Sequence, residues 1–190
     1  MICARWRKYQ RKKIMERSGD DLKDAIEIYT HSVDYALEHG EIEQYRLSHN
    51  ANVDCKEAIE QAIADHYRAN RLGSGAVHQV VEQFGYDRVF LVLANTVRKK
   101  EWDGRISHSN REWAKAFPVP EDKDSFGRDR NGEFIVDRSH TGLMDLFLTQ
   151  ARKEYQELQE QKPSVRNQLN KSNGLQECSD KKKVHKEPER

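Results

Sequence analysis

Between residues 98 and 115 six basic side chains, Arg98, Lys99, Lys100, Arg105, Arg111 and Lys115, outnumber three acidic ones, and Trp102, His108 and Trp113 are interleaved with them. Cations that neutralise phosphates beside rings that stack on bases are what binding single-stranded or structured nucleic acid requires. Arg98, Lys99, Lys100, Trp102, Arg105 and Arg111 form the contact set on this reading. The same pattern also fits two tryptophans packed in a core with cations lining a helix end.

Three other positions bear on that stretch. Asn95 is the one amide in an apolar run and, if buried, must find partners; backbone bonds from it would hold the loop from Trp102 to Asn110. Asp103-Gly104 marks a turn, across which Asp103 and Arg105 either pair or bind a ligand phosphate. Ser109 with Glu112 three residues on reads as a capping box for a helix bearing Trp113.

Elsewhere the chemistry is thinner. Cys55, with His49 and His66 in its sequence neighbourhood, has the residue types of a thiol nucleophile or metal ligand, but it lies on an apolar helical stripe, where cysteine behaves as a small hydrophobe. The eight histidines do not fall at zinc-ligand spacing and there is no CxxC or HExxH. Gly73-Ser74-Gly75 lacks the further glycine and lysine of a phosphate loop. No catalytic residue, metal or cofactor is expected.

Charge sets out the organisation. Residues 1–17 carry net +6, residues 18–160 net −9 and residues 161–190 net +4. The acidity is concentrated in residues 18–67, where 12 Asp/Glu meet three Lys/Arg. This pattern predicts a basic N-terminal segment (1–19), a helical domain (20–161) and a disordered polar tail (162–190). Ile2, Trp6 and Tyr9 are spaced for a short basic amphipathic helix, although so short a helix is marginal alone. Three cysteines, two of them in the tails, argue against a disulfide framework. The longest apolar run, Val89 to Ala94, is far below the ~20 residues that span a bilayer. A cytosolic protein, neither exported nor membrane-spanning, is expected.

Apolar spacing predicts a mainly α domain of about five or six helices. One runs over 21–39 and is closed by Gly40. A stretch from Glu41 to about Tyr67 follows, in which Asn50 either caps a second helix or sits inside a long one. A short helix ends at Gly85, a buried one spans Asp87 to Lys100, and Pro118 ends the helix of Trp113. Asn131-Gly132 between two apolar triplets suggests a small hairpin near 126–137 with a type I′ turn. A last helix carries Leu143, Phe147, Ala151, Tyr155 and Leu158 to about Gln161.

Tyr35-Ala36, Glu38-His39-Gly40-Glu41, Tyr45-Arg46, Ser48-His49, Asn52, Cys55 to Ile59, Leu93-Ala94-Asn95-Thr96, Trp102-Asp103-Gly104-Arg105, Ser109-Asn110 and Trp113-Ala114 together resemble a domain family of unknown function. The likeness covers residues 27–150, and the family is associated with integrative and conjugative elements of gut Firmicutes. The resemblance implies a bacterial cytosol and an accessory role in a mobile element, and no mechanism. Joined to the basic stretch, it leads to the expectation of a non-enzymatic domain that binds nucleic acid or a nucleic-acid-handling protein. The alternative is an inhibitor of a host defence nuclease, such as a CRISPR effector, that presents the acidic helices as a phosphate mimic.

Overall fold

The computed structural model describes residues 26–161 apart from Asn70 and Ser74. The basic N-terminal segment with Ile2, Trp6 and Tyr9, and the polar tail from 162, lie outside the described residues. Among the described residues five α-helices carry the fold: α1 (Val33–His39), α2 (Ile42–His66), α3 (Gly75–Lys99), α4 (His108–Ala116) and α5 (Thr141–Gln161). A two-stranded antiparallel hairpin, β1 (Tyr67–Arg68) with β2 (Arg71–Leu72), joins α2 to α3.

The second half of α3 is the centre of the core. Arg88 to Val97 are all buried, which suits a helix apolar on every side. On α2, Tyr45, Ser48, Asn52, Cys55, Ile59, Ala62 and Ile63 are buried at three- and four-residue spacing and face α3. α1 packs on α2, and α4 on α3. Gly85, at φ 75° and ψ 159°, breaks α3 where the pattern predicts one helix to end and another to begin. Gly40, in the left-handed region at φ 73°, closes α1 as expected, its N–H donating to the Ala36 carbonyl. The 41–67 stretch is one helix, and Asn50 sits inside it.

Two contact-defined units divide the chain, Met1–Arg152 and Lys153–Arg190. In the first, α5 buries Met144, Phe147, Leu148 and Ala151. In the second, the end of α5 pairs Lys153 with Glu157 one turn on at 3.8 Å, and Leu158 is exposed rather than part of an apolar stripe.

Three expectations are corrected. The helix expected over 21–39 is described only from Val33: Ser32 caps it, its Oγ accepting from the Tyr35 N–H at 3.3 Å, and residues 21–25 lie outside the described residues. Residues 26–32 are not helical, because tertiary partners take their backbone groups. The Tyr29 N–H donates to Ser48 Oγ at 2.9 Å, and Arg88 donates to the Ile26 carbonyl.

No hairpin forms at 126–137. Arg130–Phe134 is a 3₁₀ turn that begins where Asp129 Oδ1 accepts from the Asn131 N–H at 3.0 Å, and Asn131 Nδ2 reaches back to the Pro120 carbonyl at 2.7 Å. The aspartate before Asn-Gly thus captures the segment as a capped turn. The N-cap of α4 is Ser107, not Ser109. Its hydroxyl and N–H both donate to Asp145 Oδ1 at 3.1 Å, so tertiary partners replace the capping box.

Candidate functional site: a braced aromatic loop

Between α3 and α4 the chain makes a compact loop whose backbone is tied at each step. The Asp103 N–H donates to the Lys100 carbonyl at 2.9 Å, and the Ile106 N–H to the Asp103 carbonyl at 3.2 Å. Asp103 Oδ1 accepts from the Arg105 N–H at 3.0 Å, and Arg111 reaches back from α4 to the Asp103 carbonyl at 2.9 Å. The bond from the Arg105 N–H and a contact with the Thr141 hydroxyl hold the Asp103 carboxyl below its ordinary value. Ile106 plugs the loop into the core at 2% exposure, while Trp102 stands out from it at 83%.

The far end of the loop is anchored by a buried polar cluster on α5. Asn110, 1% exposed, donates through Nδ2 to Asp145 Oδ1 (2.7 Å), the Asp145 carbonyl (3.2 Å) and Thr149 Oγ1 (2.9 Å). Its Oδ1 accepts from Arg152 Nη1 at 2.6 Å. Arg152 also lies over the Trp113 ring at 5.4 Å, and Trp113 meets Phe90 edge to face at 5.3 Å. Trp113 is therefore a packing residue. Asp145, Thr149 and Arg152 escaped notice in the sequence. Their signal is a polar series at i, i+4, i+7 beside the apolar one of the same helix.

The basic residues do not form one open set. Arg98 donates to the carbonyls of Ala114 (2.8 Å), Lys115 (3.1 Å) and Phe117, so it caps the C-terminal end of α4. Lys99 pairs with Asp129, Lys100 donates to the Val136 carbonyl at 2.7 Å, and Lys115 pairs with Glu101 and Glu112 at 3.1 and 3.3 Å. Arg105 is exposed and serves the turn through its backbone N–H rather than its guanidinium. Gly104 is not at a positive φ, and a Cβ there would meet nothing within 4 Å. Asn95, 2% exposed, does find a backbone partner, but it is the Asn131 carbonyl at 2.8 Å, so it holds the 3₁₀ turn and not the 102–110 loop.

Cys55 is wholly buried, and burial pushes its thiol well above the ordinary value despite the opposing Arg88. Its sequence neighbours are engaged elsewhere. His49 stacks on Tyr45 at 5.6 Å with Nε2 3.2 Å from Glu133 Oε2, and His66 Nδ1 bonds the Ala62 carbonyl. Among the described residues no three His, Cys, Asp or Glu side chains converge as a metal site.

Two cavities lie among the described residues. A slot of ≈ 20 Å³ between Tyr29, Ser48, Asn52 and Asp122, room for about one water, adjoins the bonds from Tyr45 Oη and the Val33 N–H to the Asp122 carboxylate at 2.7 and 3.0 Å. A larger one, ≈ 330 Å³, opens beside Glu60 and Arg138. No described helix is long and apolar enough to cross a membrane.

A mainly helical domain whose α3–α4 loop is tied by backbone bonds and presents an exposed tryptophan is the class that these observations define. The family model described as "Protein of unknown function (DUF3849)" matches residues 28–156, most of the chain. The protein belongs to this family. No curated protein and no solved structure matches it.

Proposed function

We propose that the protein is a non-enzymatic binding domain that engages nucleic acid, or a protein that handles it, through the loop from Lys100 to Asn110. The observation that carries this reading is Trp102, a ring 83% exposed on a backbone fastened at both ends. A rigidly presented aromatic loses little conformational entropy on contact, and any base offers it a face to stack on. Arg105, exposed two positions on from the ring's neighbour Asp103, supplies the phosphate contact. Lys99, Lys100 and Arg111 contribute field rather than direct bonds, and Arg98 shapes α4. A cytoplasmic accessory role in a bacterial mobile element belongs to the same proposal and rests on the family resemblance.

The phosphate-mimic alternative has less behind it. The Glu41 carboxylate accepts from Tyr29 Oη at 2.7 Å and Glu60 is 6% exposed, so part of the acidic surface is used internally.

The test is fluorescence anisotropy of the full chain with labelled single-stranded DNA and RNA across a salt series. Trp102→Ala should weaken binding by about 5- to 150-fold, the effect of losing one stacked base worth ~1–3 kcal/mol. Arg105→Ala should flatten the salt dependence. Unchanged affinity in the double variant would sink the proposal.

A further inference from the structure

The ≈ 330 Å³ cavity between α2 and the start of α5 falls within the range of small-ligand sites, roughly 300–1,000 Å³. Ile63, Ala64, Tyr67 and Leu143 give it an apolar wall, and Glu57, Glu60 and Arg138 a charged one. Glu60 is the unusual member. Its side chain is 6% exposed, and its two oxygens are treated differently.

Oε1 accepts from the N–H groups of Asp137 and Arg138, both at 2.9 Å. Oε2 is buried and has no hydrogen-bond partner among the described residues. Such an oxygen costs free energy, and a donor brought to it recovers what is lost. The cation facing it, Arg138 Nε, stops at 4.0 Å on a side chain 76% exposed, so it is beyond bonding distance and easily displaced.

The surrounding charge selects the kind of donor. Glu57, Glu60 and Asp137 outnumber Lys56 and Arg138, and Lys56 is occupied, 3.4 Å from Asp137 and 4.0 Å from Glu60 Oε1. Burial works to raise the Asp137 carboxyl, but Lys56, 3.4 Å away, outweighs it and helps hold the group below its ordinary value. An anion is repelled here. The carboxylates and histidine of the cavity do not converge as metal ligands, and the wall opposite is hydrocarbon.

We infer that this cavity is a binding site for a small organic cation, an ammonium or guanidinium on a short apolar body, whose N–H groups take Glu60 Oε2 in place of Arg138. Its hydrocarbon lies on Ile63, Ala64 and Leu143. The site is independent of the Trp102 loop.

Calorimetric titration of the full chain with n-pentylammonium and n-pentylguanidinium chloride tests it, with pentanol and pentanoate as the apolar and anionic comparisons. Saturable binding of at least one cation and of neither comparison compound is expected. Glu60→Gln keeps an acceptor for the two backbone N–H groups but removes the charge, and should weaken binding about tenfold or more, as for a lost charge-assisted hydrogen bond. Ala64→Trp, at an exposed position of α2, fills the cavity and should abolish binding with the helical spectrum unchanged, which covers the case of an unfolded Glu60 variant. Trp102→Ala should bind the cation as the parent does. No saturable binding of either cation, equal binding of pentanol, or parent-like binding by Ala64→Trp overturns the inference.

Discussion

Replacing Asn110 with alanine removes the hub of the cluster that fastens the Trp102 loop to α5. Four bonds go, and two of them join charged partners: Nδ2 to Asp145 Oδ1 at 2.7 Å and Arg152 Nη1 to Oδ1 at 2.6 Å. A hydrogen bond to a charged group is worth ~1.5–3 kcal/mol, and a neutral one ~0.5–1.5 kcal/mol. The variant recovers a part of this. Asp145 keeps the N–H and hydroxyl of Ser107, and Arg152 keeps longer contacts to Ser109 at 3.3 Å. The net expected loss is about 2–4 kcal/mol, equivalent to about 10 °C in Tm for a domain of this size.

Urea unfolding followed by far-ultraviolet circular dichroism measures it, with an unchanged m-value showing that the native state is still compact. A double-mutant cycle with Asp145→Ala should show coupling above about 1 kcal/mol, since the two side chains act through each other. A loss below about 1 kcal/mol, or strict additivity in the cycle, would refute the view that this cluster braces the loop.

Arg88→Met removes a guanidinium 4% exposed that donates to the carbonyls of Ser48 and Ile26 and to Asn52 Oδ1. The expected cost is about 1–3 kcal/mol, with faster amide exchange at Tyr29 and Val33, and Arg88→Lys should not restore it because one ammonium cannot span the three acceptors; a neutral or stabilising Met would contradict this. At alkaline pH, partial burial and the bond to Glu41 push the Tyr29 phenol up to about 12, and burial with the bond to Asp122 pushes Tyr45 higher still. Both are protonated in the fold where an unfolded tyrosine, near 10, is not, so their contribution is complete below about pH 10 and is lost as pH climbs through the folded values. Melting temperature should fall over that range, and ionisation of all seven tyrosines by pH 11, with the helical spectrum intact, would count against it.

Much of the helical frame was open to inspection in the sequence because its causes are local. Apolar residues at three- and four-residue spacing mark α2 and α3, and Gly40 and Gly85 sit where only a positive φ continues the chain. Asn95 was identifiable as an amide in need of partners, and Asn110 only as the end of the loop from Trp102, with no partner named for it. The partners themselves were not identifiable, since Asn131, Asp145 and Arg152 lie about 35 to 42 residues away.

The errors share that origin. Residues 26–32 have a helical pattern, but Arg88 and Ser48 compete for their backbone. Asn131-Gly132 has hairpin composition, but Asp129 caps it first. Ser109 has the right neighbour for a capping box, but Asp145 holds Ser107. The six-residue contact set rests on composition, which does not show where each cation's donors are used. Arg98 shows this most plainly, with all its described bonds directed at α4.

The last turns of α3 reach across to a part of the chain with almost no regular structure. Asn95 bonds the Asn131 carbonyl, Thr96 Oγ1 accepts from the Val136 N–H at 3.1 Å, Lys99 pairs with Asp129, and Lys100 holds the Val136 carbonyl. With His49 of α2 on Glu133, these four side chains make the segment from Asp129 to Val136 an appendage of two helices, held chiefly from α3. A neutralising change at Lys99 or Lys100 therefore has two ways to look like a binding defect, one through lost charge and one through release of that appendage. Only the second would open the segment to proteolysis, so digestion separates a ligand contact from a latch.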